Sequence, residues 1–146
     1  MKSFPLFIIL VLTMACQIAI GQDTYRDNFS SASYSNNDGN QNFSTSWIEQ
    51  NDNNSANNGS TRITSGRLRF SNSDDDWIYR FVPLAGASNA QLTLDFDGTS
   101  RGGEIMDVFI YNSNTAFWNL VGSIDSNTTG TLLITLLRRK SIQIRL

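Results

Sequence analysis

Hydrophobic and polar residues alternate over short stretches of the chain, and turn-forming residues recur every eight to twelve positions. Successive side chains of a strand point to opposite sides, so this alternation is typical of strands that bury one face. No stretch after the first 21 residues shows a sustained helical period. The pattern predicts an all-β protein, a sandwich or barrel, whose strands pair in antiparallel fashion.

Each alternating stretch is predicted to be one strand. "TSGRLRF" indicates a tight hairpin at Ser65 and Gly66, and Pro83 is expected to end its strand because it has no N–H to donate. "LLITLL" at 132–137 is apolar at nearly every position, which predicts a central strand buried on both faces. The predicted strands are Trp47–Gln50, Arg62–Thr64, Arg67–Ser71, Trp77–Val82, Gln91–Asp97, Ile105–Tyr111, Phe117–Val121, Thr131–Leu137 and Ile142–Leu146.

The first 21 residues form a separate unit. They carry one positive charge at Lys2, an apolar run from Leu6 to about Ala15, and small residues up to Gly21. This layout is typical of a secretory signal peptide, and the run is too short for a membrane span. "TMAC" also permits a lipoprotein cleavage at Cys16, although Thr13 fits that motif poorly. We expect cleavage after Gly21, one β-sandwich domain over residues 22–146, and a secreted or cell-surface location.

Composition excludes several kinds of chemistry. The chain has no histidine, which removes Ser-His-Asp and Cys-His catalysis and histidine-ligated metals. Residues 23–125 hold thirteen acids against six arginines, so nucleic acid is not an expected partner. A length of 146 residues is enough for one core.

Several motifs together resemble a known module. They are the opening "DNF", the loop "YSNNDGNQNF" before a tryptophan-containing strand, "GRLRF", "LAGASNAQLTLDFD", and the acid that opens "DVFIY". In combination they resemble a β-sandwich module of secreted and cell-surface proteins of Bacteroidetes, similar to jelly-roll domains of the galactose-binding and MAM type. The resemblance covers about residues 25–146.

The resemblance implies a two-sheet antiparallel jelly roll that serves as a binding or spacing unit, not as a catalyst. Such modules continue after the position of "IQIRL" with another loop and a closing strand, so we expect this sandwich to lack its last strand. An unpaired strand edge would favour self-association.

The acids of "LTLDFDGTSRGGEIMDVFIY" are the first candidate site. If strands 91–97 and 105–111 pair with their aliphatic faces inward, Asp95 and Asp97 point the same way as Asp107, and Phe109 and Tyr111 share that face. Aromatic rings beside carboxylates are typical of a sugar-binding sheet. These five residues are therefore the predicted ligand-binding residues, for a carbohydrate or cell-surface glycan.

Other interpretations of the same acids stay open. They form an ordinary polar face if they pair with Arg80 or Arg101. Paired carboxyl groups can also catalyse glycoside hydrolysis. Loop aromatics Tyr34, Phe43 and Trp47 are second-choice sugar contacts.

Calcium is the expected cofactor, as a structural ion, because it binds carboxylate, amide and carbonyl oxygens without histidine. The richest oxygen clusters are "SNNDGN", "EQNDNN" and "NSDDDW", and none fits EF-hand spacing. The predicted metal ligands are Asp38, Asp52, Asp74, Asp75 and Asp76.

Taken together, the sequence predicts a secreted, non-catalytic module for adhesion or carbohydrate binding, with no nucleic-acid partner and no membrane span. The alternative is a ligand-free structural spacer cut from a larger surface protein.

Overall fold

A computed structural model describes residues 21–71, 75–98, 105–112, 115–125, 128–137 and 141–145, with the backbone alone for residues 137 and 141–145. The described residues form strands, turns and loops without a helix, so they contain no helix long and apolar enough to cross a membrane. The predicted leader falls outside these residues except for Gly21. The strands are β1 Ile48–Gln50, β2 Thr61–Thr64, β3 Arg67–Phe70, β4 Trp77–Pro83, β5 Asn89–Asp97, β6 Ile105–Asn112, β7 Phe117–Asp125, β8 Thr129–Leu137 and β9 Ser141–Arg145.

All nine predicted strands are present, and every described pairing is antiparallel. The hairpin between β2 and β3 turns at Ser65 and Gly66, whose φ angles of 53° and 71° are the left-handed values that a two-residue turn of this kind requires. β4 ends at Pro83, as expected. Local alternation and turn residues therefore located the strands correctly.

The strands form one large sheet and two ribbons. The five-stranded sheet has the order β1-β4-β9-β6-β7, while β2 pairs with β3 and β5 pairs with β8. The pairing of β5 with β6 that the first candidate site assumed is wrong. β5 lies against β8 instead, where Leu92 pairs with Ile134 and Leu94 with Leu132, so the apolar faces of the two strands coincide.

The prediction for "LLITLL" is also wrong. β8 has one neighbour, β5, in the described part of the chain, and Leu133 is 59% exposed. The side chains of β8 alternate, with Leu132 and Ile134 half-buried and Leu136 buried. β8 is thus an edge strand that buries one face, because its partner β5 supplies a matching apolar face on the same side.

One hydrophobic cluster joins the large sheet to both ribbons. Leu68 and Phe70 of β3 and the inward residues of β5 and β8 pack against it. A Cβ atom built on Gly122 of β7 would lie 2.8 Å from a methyl group of Leu132 on β8, which shows how closely the β5-β8 ribbon approaches the sheet. The buried members of the cluster are Trp47, Ile78, Val82, Leu84, Val108, Ile110, Ile124 and Leu136.

A buried ion pair attaches the segment before β1 to this core. Arg80 lies on the inward side of β4 and donates to Asp27 at 2.8 Å; the two side chains are 0% and 3% exposed. Asp27 also accepts hydrogen bonds from the indole nitrogen of Trp47 and the backbone N–H of Phe29, while the Arg80 guanidinium lies 3.8 Å above the Phe43 ring. The alternative in which Arg80 pairs with acids on an outer face is therefore wrong, and Arg101, the other cation of that alternative, lies outside the described residues.

Candidate functional site

The outer side of the five-stranded sheet carries a continuous group of aromatic rings. Three come from alternate positions of β4, because side chains two apart on a strand share a face. Two more come from β6 and β7. We call this set, all of it half-buried, the aromatic face: Trp77, Tyr79, Phe81, Tyr111 and Trp118.

Trp118 is the centre of the aromatic face. Its ring lies 5.3 Å from that of Tyr111, 6.1 Å from Tyr79 and 6.3 Å from Trp77, at interplanar angles of 61°, 74° and 73°. Trp77 and Tyr79 stack at 5.2 Å. Edge-to-face and offset arrangements are the favoured geometries of aromatic pairs, so the rings hold one another in position.

A β-bulge allows β7 to contribute to this face. Val108 pairs with Gly122 but Phe109 pairs with Leu120, so one extra residue, Val121, stands on β7. The bulge reverses the alternation along β7, which places Trp118 opposite Tyr111 on the outer side. Leu120, which is 56% exposed, borders the aromatic face.

The predicted ligand-binding residues divide between two sheets. Asp107, Phe109 and Tyr111 share the outer side of β6, as expected from their spacing. Asp95 and Asp97 alternate with inward residues of β5 and lie on the exposed side of the β5-β8 ribbon. The structure therefore brings together three of the five predicted residues, and it separates the other two because β5 pairs with β8.

Each of these acids accepts a hydrogen bond from its cross-strand partner. Asp95 is bonded by Thr131 at 2.7 Å, Asp97 by Thr129 at 3.0 Å and Asp107 by Ser123 at 2.6 Å. Arg67 also forms an ion pair with Asp97, and its hydrogen bond is the main reason why the pKa of Asp97 lies below its usual value. An acid with a lowered pKa is poorly suited to donate a proton in glycoside hydrolysis.

The predicted metal ligands within the described residues serve mainly as loop anchors. Asp38 accepts the N–H of Asn28 at 2.7 Å, Asp76 accepts a hydrogen bond from Ser60, and the backbone carbonyl of Asp75 accepts one from Asn51. Asp74 lies outside the described residues. No group of three or more acidic, histidine or cysteine side chains close enough to hold a metal occurs among residues that the structure describes.

Asp52 differs from the other predicted metal ligands because it faces a second, buried carboxyl group. That group belongs to Glu49 on β1, which is 2% exposed. Burial and the neighbouring Asp52 raise the pKa of Glu49 to about 7. The pKa of Asp52 is lowered, chiefly by the N–H of Thr61, which donates to it at 2.8 Å.

Of the second-choice sugar contacts, Trp47 is buried, while Tyr34 and Phe43 are half-buried and pack against the core. Trp47 is 8% exposed and belongs to the core, and Phe43 lies beneath Arg80. The Tyr34 hydroxyl donates to the carbonyl of Thr61 at 3.0 Å. Their position in polar loops gave no sign that they contact the core.

A wide cleft of about 2490 Å³ opens beside the core, between the β5-β8 ribbon and the segment of residues 21–29. Its lining includes Leu92, Phe96 and Leu136. Pockets for small molecules are usually about 300–1,000 Å³ in volume, so this cleft is too wide to enclose a single sugar. The aromatic face is the better candidate site.

Comparison of the chain with protein-family models, with curated proteins and with solved structures found no match.

Proposed function

We propose that the protein is a secreted, non-catalytic β-sandwich module of jelly-roll type that binds carbohydrate through the aromatic face. The aromatic face is the observation that carries this proposal. The two-layer architecture is supported by the single hydrophobic cluster that the large sheet shares with both ribbons. The leader-like residues 1–21 support secretion.

Sugar binding is favoured by the chemistry of the aromatic face. Soluble proteins rarely expose contiguous apolar surfaces, and those that do commonly use them for binding. Flat rings offer apolar surface to the C–H groups of a pyranose, while the hydroxyl group of Tyr111 and the carboxylate of Asp107 on the same side of β6 offer hydrogen bonds to sugar hydroxyls. This combination suits a carbohydrate better than a wholly apolar ligand.

A hydrolase is disfavoured by the position of the acids. Glycoside hydrolysis needs two carboxyl groups on either side of one bond. Asp107 lies on the five-stranded sheet, whereas Asp95 and Asp97 lie on the β5-β8 ribbon. Glu49 has the raised pKa that a general acid needs, but its side chain is 2% exposed. A substrate has no access to a carboxyl group with so little exposed surface.

A ligand-free spacer is the second candidate. It is favoured by the exposed side of the β5-β8 ribbon, where Asp95 and Asp97 are both bonded to threonines of the same ribbon. Such cross-strand pairs stabilise a sheet without any ligand.

Retention on polysaccharides distinguishes the two candidates. We expect the purified protein to be slowed in native gels that contain at least one soluble polysaccharide from a panel of β-glucans, xylans, mannans and galactans. Binding should also alter the tryptophan fluorescence, because two of the three tryptophans, Trp77 and Trp118, belong to the aromatic face. Unchanged migration in every gel would favour the spacer.

A further inference from the structure

Buried oxygen atoms without partners lie next to the loop that follows β1. Neither carboxylate oxygen of Glu49 receives a well-formed hydrogen bond from the described residues, although the Tyr34 hydroxyl and the backbone N–H of Ser55 lie near it and the side chain is 2% exposed. The hydroxyl of Thr61, which is 0% exposed, also lacks a partner in the described part of the chain. Buried polar groups are nearly always paired, and a buried charge costs far more than a buried hydroxyl when it is not.

These groups belong to one cluster. Thr61 donates its N–H to Asp52 and accepts a hydrogen bond at its carbonyl from Tyr34, so its backbone links the two side chains that interact with Glu49. Gly59 lies against the carboxylate of Asp52, since a Cβ atom there would overlap one of its oxygens. The loop between β1 and β2 thus wraps around two neighbouring carboxyl groups.

Within the described part of the chain, no arginine forms an ion pair with the carboxyl groups of the cluster. The ion pairs among the described residues join Arg67 to Asp97 and Arg80 to Asp27, and none includes Glu49 or Asp52. Two adjacent carboxylates repel each other strongly when they are shielded from water. A bound cation would remove both the repulsion and the unpaired oxygens.

We propose that Glu49, Asp52 and the hydroxyl of Thr61 bind one calcium ion, which fastens the loop of residues 51–60 to β1. Calcium accepts six to eight oxygen ligands in flexible geometry, including carboxylates that bind through one or both oxygens, with water completing the shell. Magnesium is a poorer match because it demands near-octahedral geometry and keeps most of its water. This site is separate from the aromatic face and does not depend on the proposed carbohydrate binding.

Calorimetric titration of EDTA-treated, dialysed protein with calcium chloride at pH 8 tests the proposal. We expect one ion per chain and an increase in the thermal midpoint with calcium, because a ligand that binds the folded state alone stabilises it by mass action. Magnesium chloride at the same concentration should give a smaller increase. Absence of binding heat together with an unchanged thermal midpoint would overturn the proposal. Both measurements use the wild-type protein.

Two variants locate the ion. Glu49→Gln keeps the size of the side chain but removes its charge, and we expect calcium affinity to fall about tenfold or more, which corresponds to at least about 1.4 kcal/mol. Asp38→Asn, in another acid-containing loop, should leave the calcium affinity unchanged. The opposite result, in which Asp38→Asn abolishes binding and Glu49→Gln does not, would also overturn the assignment.

A shared proton is the rival explanation of the unpaired oxygens. If Glu49 keeps its proton and donates it to Asp52, the cluster needs no metal. Calcium would then leave the thermal midpoint unchanged. The midpoint would fall as the pH rises from about 5 to 8, since a carboxyl group with a raised pKa stabilises the folded state in its protonated form. That pair of results would refute the calcium site.

Discussion

Replacing Asp27 with asparagine is expected to lower the free energy of unfolding by about 3–5 kcal/mol, because it leaves the buried charge of Arg80 without its counter-charge. Asp27 is the one carboxylate that pairs with Arg80 among the described residues, and both side chains are almost fully shielded from water. The same carboxylate accepts the indole N–H of Trp47 and so orients a core residue. Urea unfolding followed by tryptophan fluorescence measures the change.

Two comparisons isolate the ion pair. Asp95→Asn, on the exposed side of β5, should change the free energy of unfolding by less than about 1 kcal/mol, since exposed polar contacts contribute little. Adding Arg80→Met to Asp27→Asn should recover part of the loss because it removes the unpaired charge. Equal and small losses for Asp27→Asn and Asp95→Asn would contradict the role of the ion pair.

Ile110→Ala is expected to cost about 2–5 kcal/mol of unfolding free energy, because it removes a fully buried side chain from a strand with neighbours on both sides. Ile110 is 0% exposed and lies on β6, between β9 and β7. The cavity that remains cannot collapse easily, since neighbouring strands are held by their hydrogen-bonded ladders.

The same strand provides a matched control. Ile105, at the start of β6, is 64% exposed, and its replacement with alanine should stay within about 0.5 kcal/mol of the wild-type value. Chemical denaturation of both variants measures the difference. Similar losses for the two isoleucines would mean that the inward side of β6 is not the buried one.

Strand positions were predictable because the information is local. Alternation along "RLRF" or "LTLDFD" is visible within a few residues, and the hairpin at Ser65 and Gly66 needs only two residues that accept positive φ angles. The pairing of β5 with β8 was not predictable in this way. It depends on an apolar match between strands that are about thirty positions apart in sequence, whereas β6 is much nearer along the chain.

The candidate site was predictable in part. The spacing of Phe109 and Tyr111 located the contribution of β6, but the contribution of β4 was missed although "WIYRF" places an aromatic residue at every second position. Arg80 in the same stretch obscured the pattern, because a charged residue on the inward side of a strand is unusual. The place of Trp118 depends on the β-bulge at Val121, which nothing in the local alternation reveals.

Glu49 could not be recognised as buried from its surroundings. It lies near the end of the predicted strand Trp47–Gln50, next to the polar run "QNDNN", and a charged side chain on a strand usually faces water. Its burial follows from the pairing of β1 with β4, in which Glu49 is the register partner of the fully buried Ile78.

Carbohydrate binding by the aromatic face is tested by comparing the migration of two variants in gels that contain the polysaccharide that retards the wild-type protein. Combined Tyr111→Ala and Trp118→Ala should weaken binding by about tenfold or more, because aromatic anchors carry much of the energy of such contacts. Leu133→Ala, an exposed apolar position on the β5-β8 ribbon, should bind like the wild type. Far-ultraviolet circular dichroism should show that both variants remain folded. Undiminished binding by the folded double variant, or no retardation of the wild-type protein by any polysaccharide, would contradict the claim.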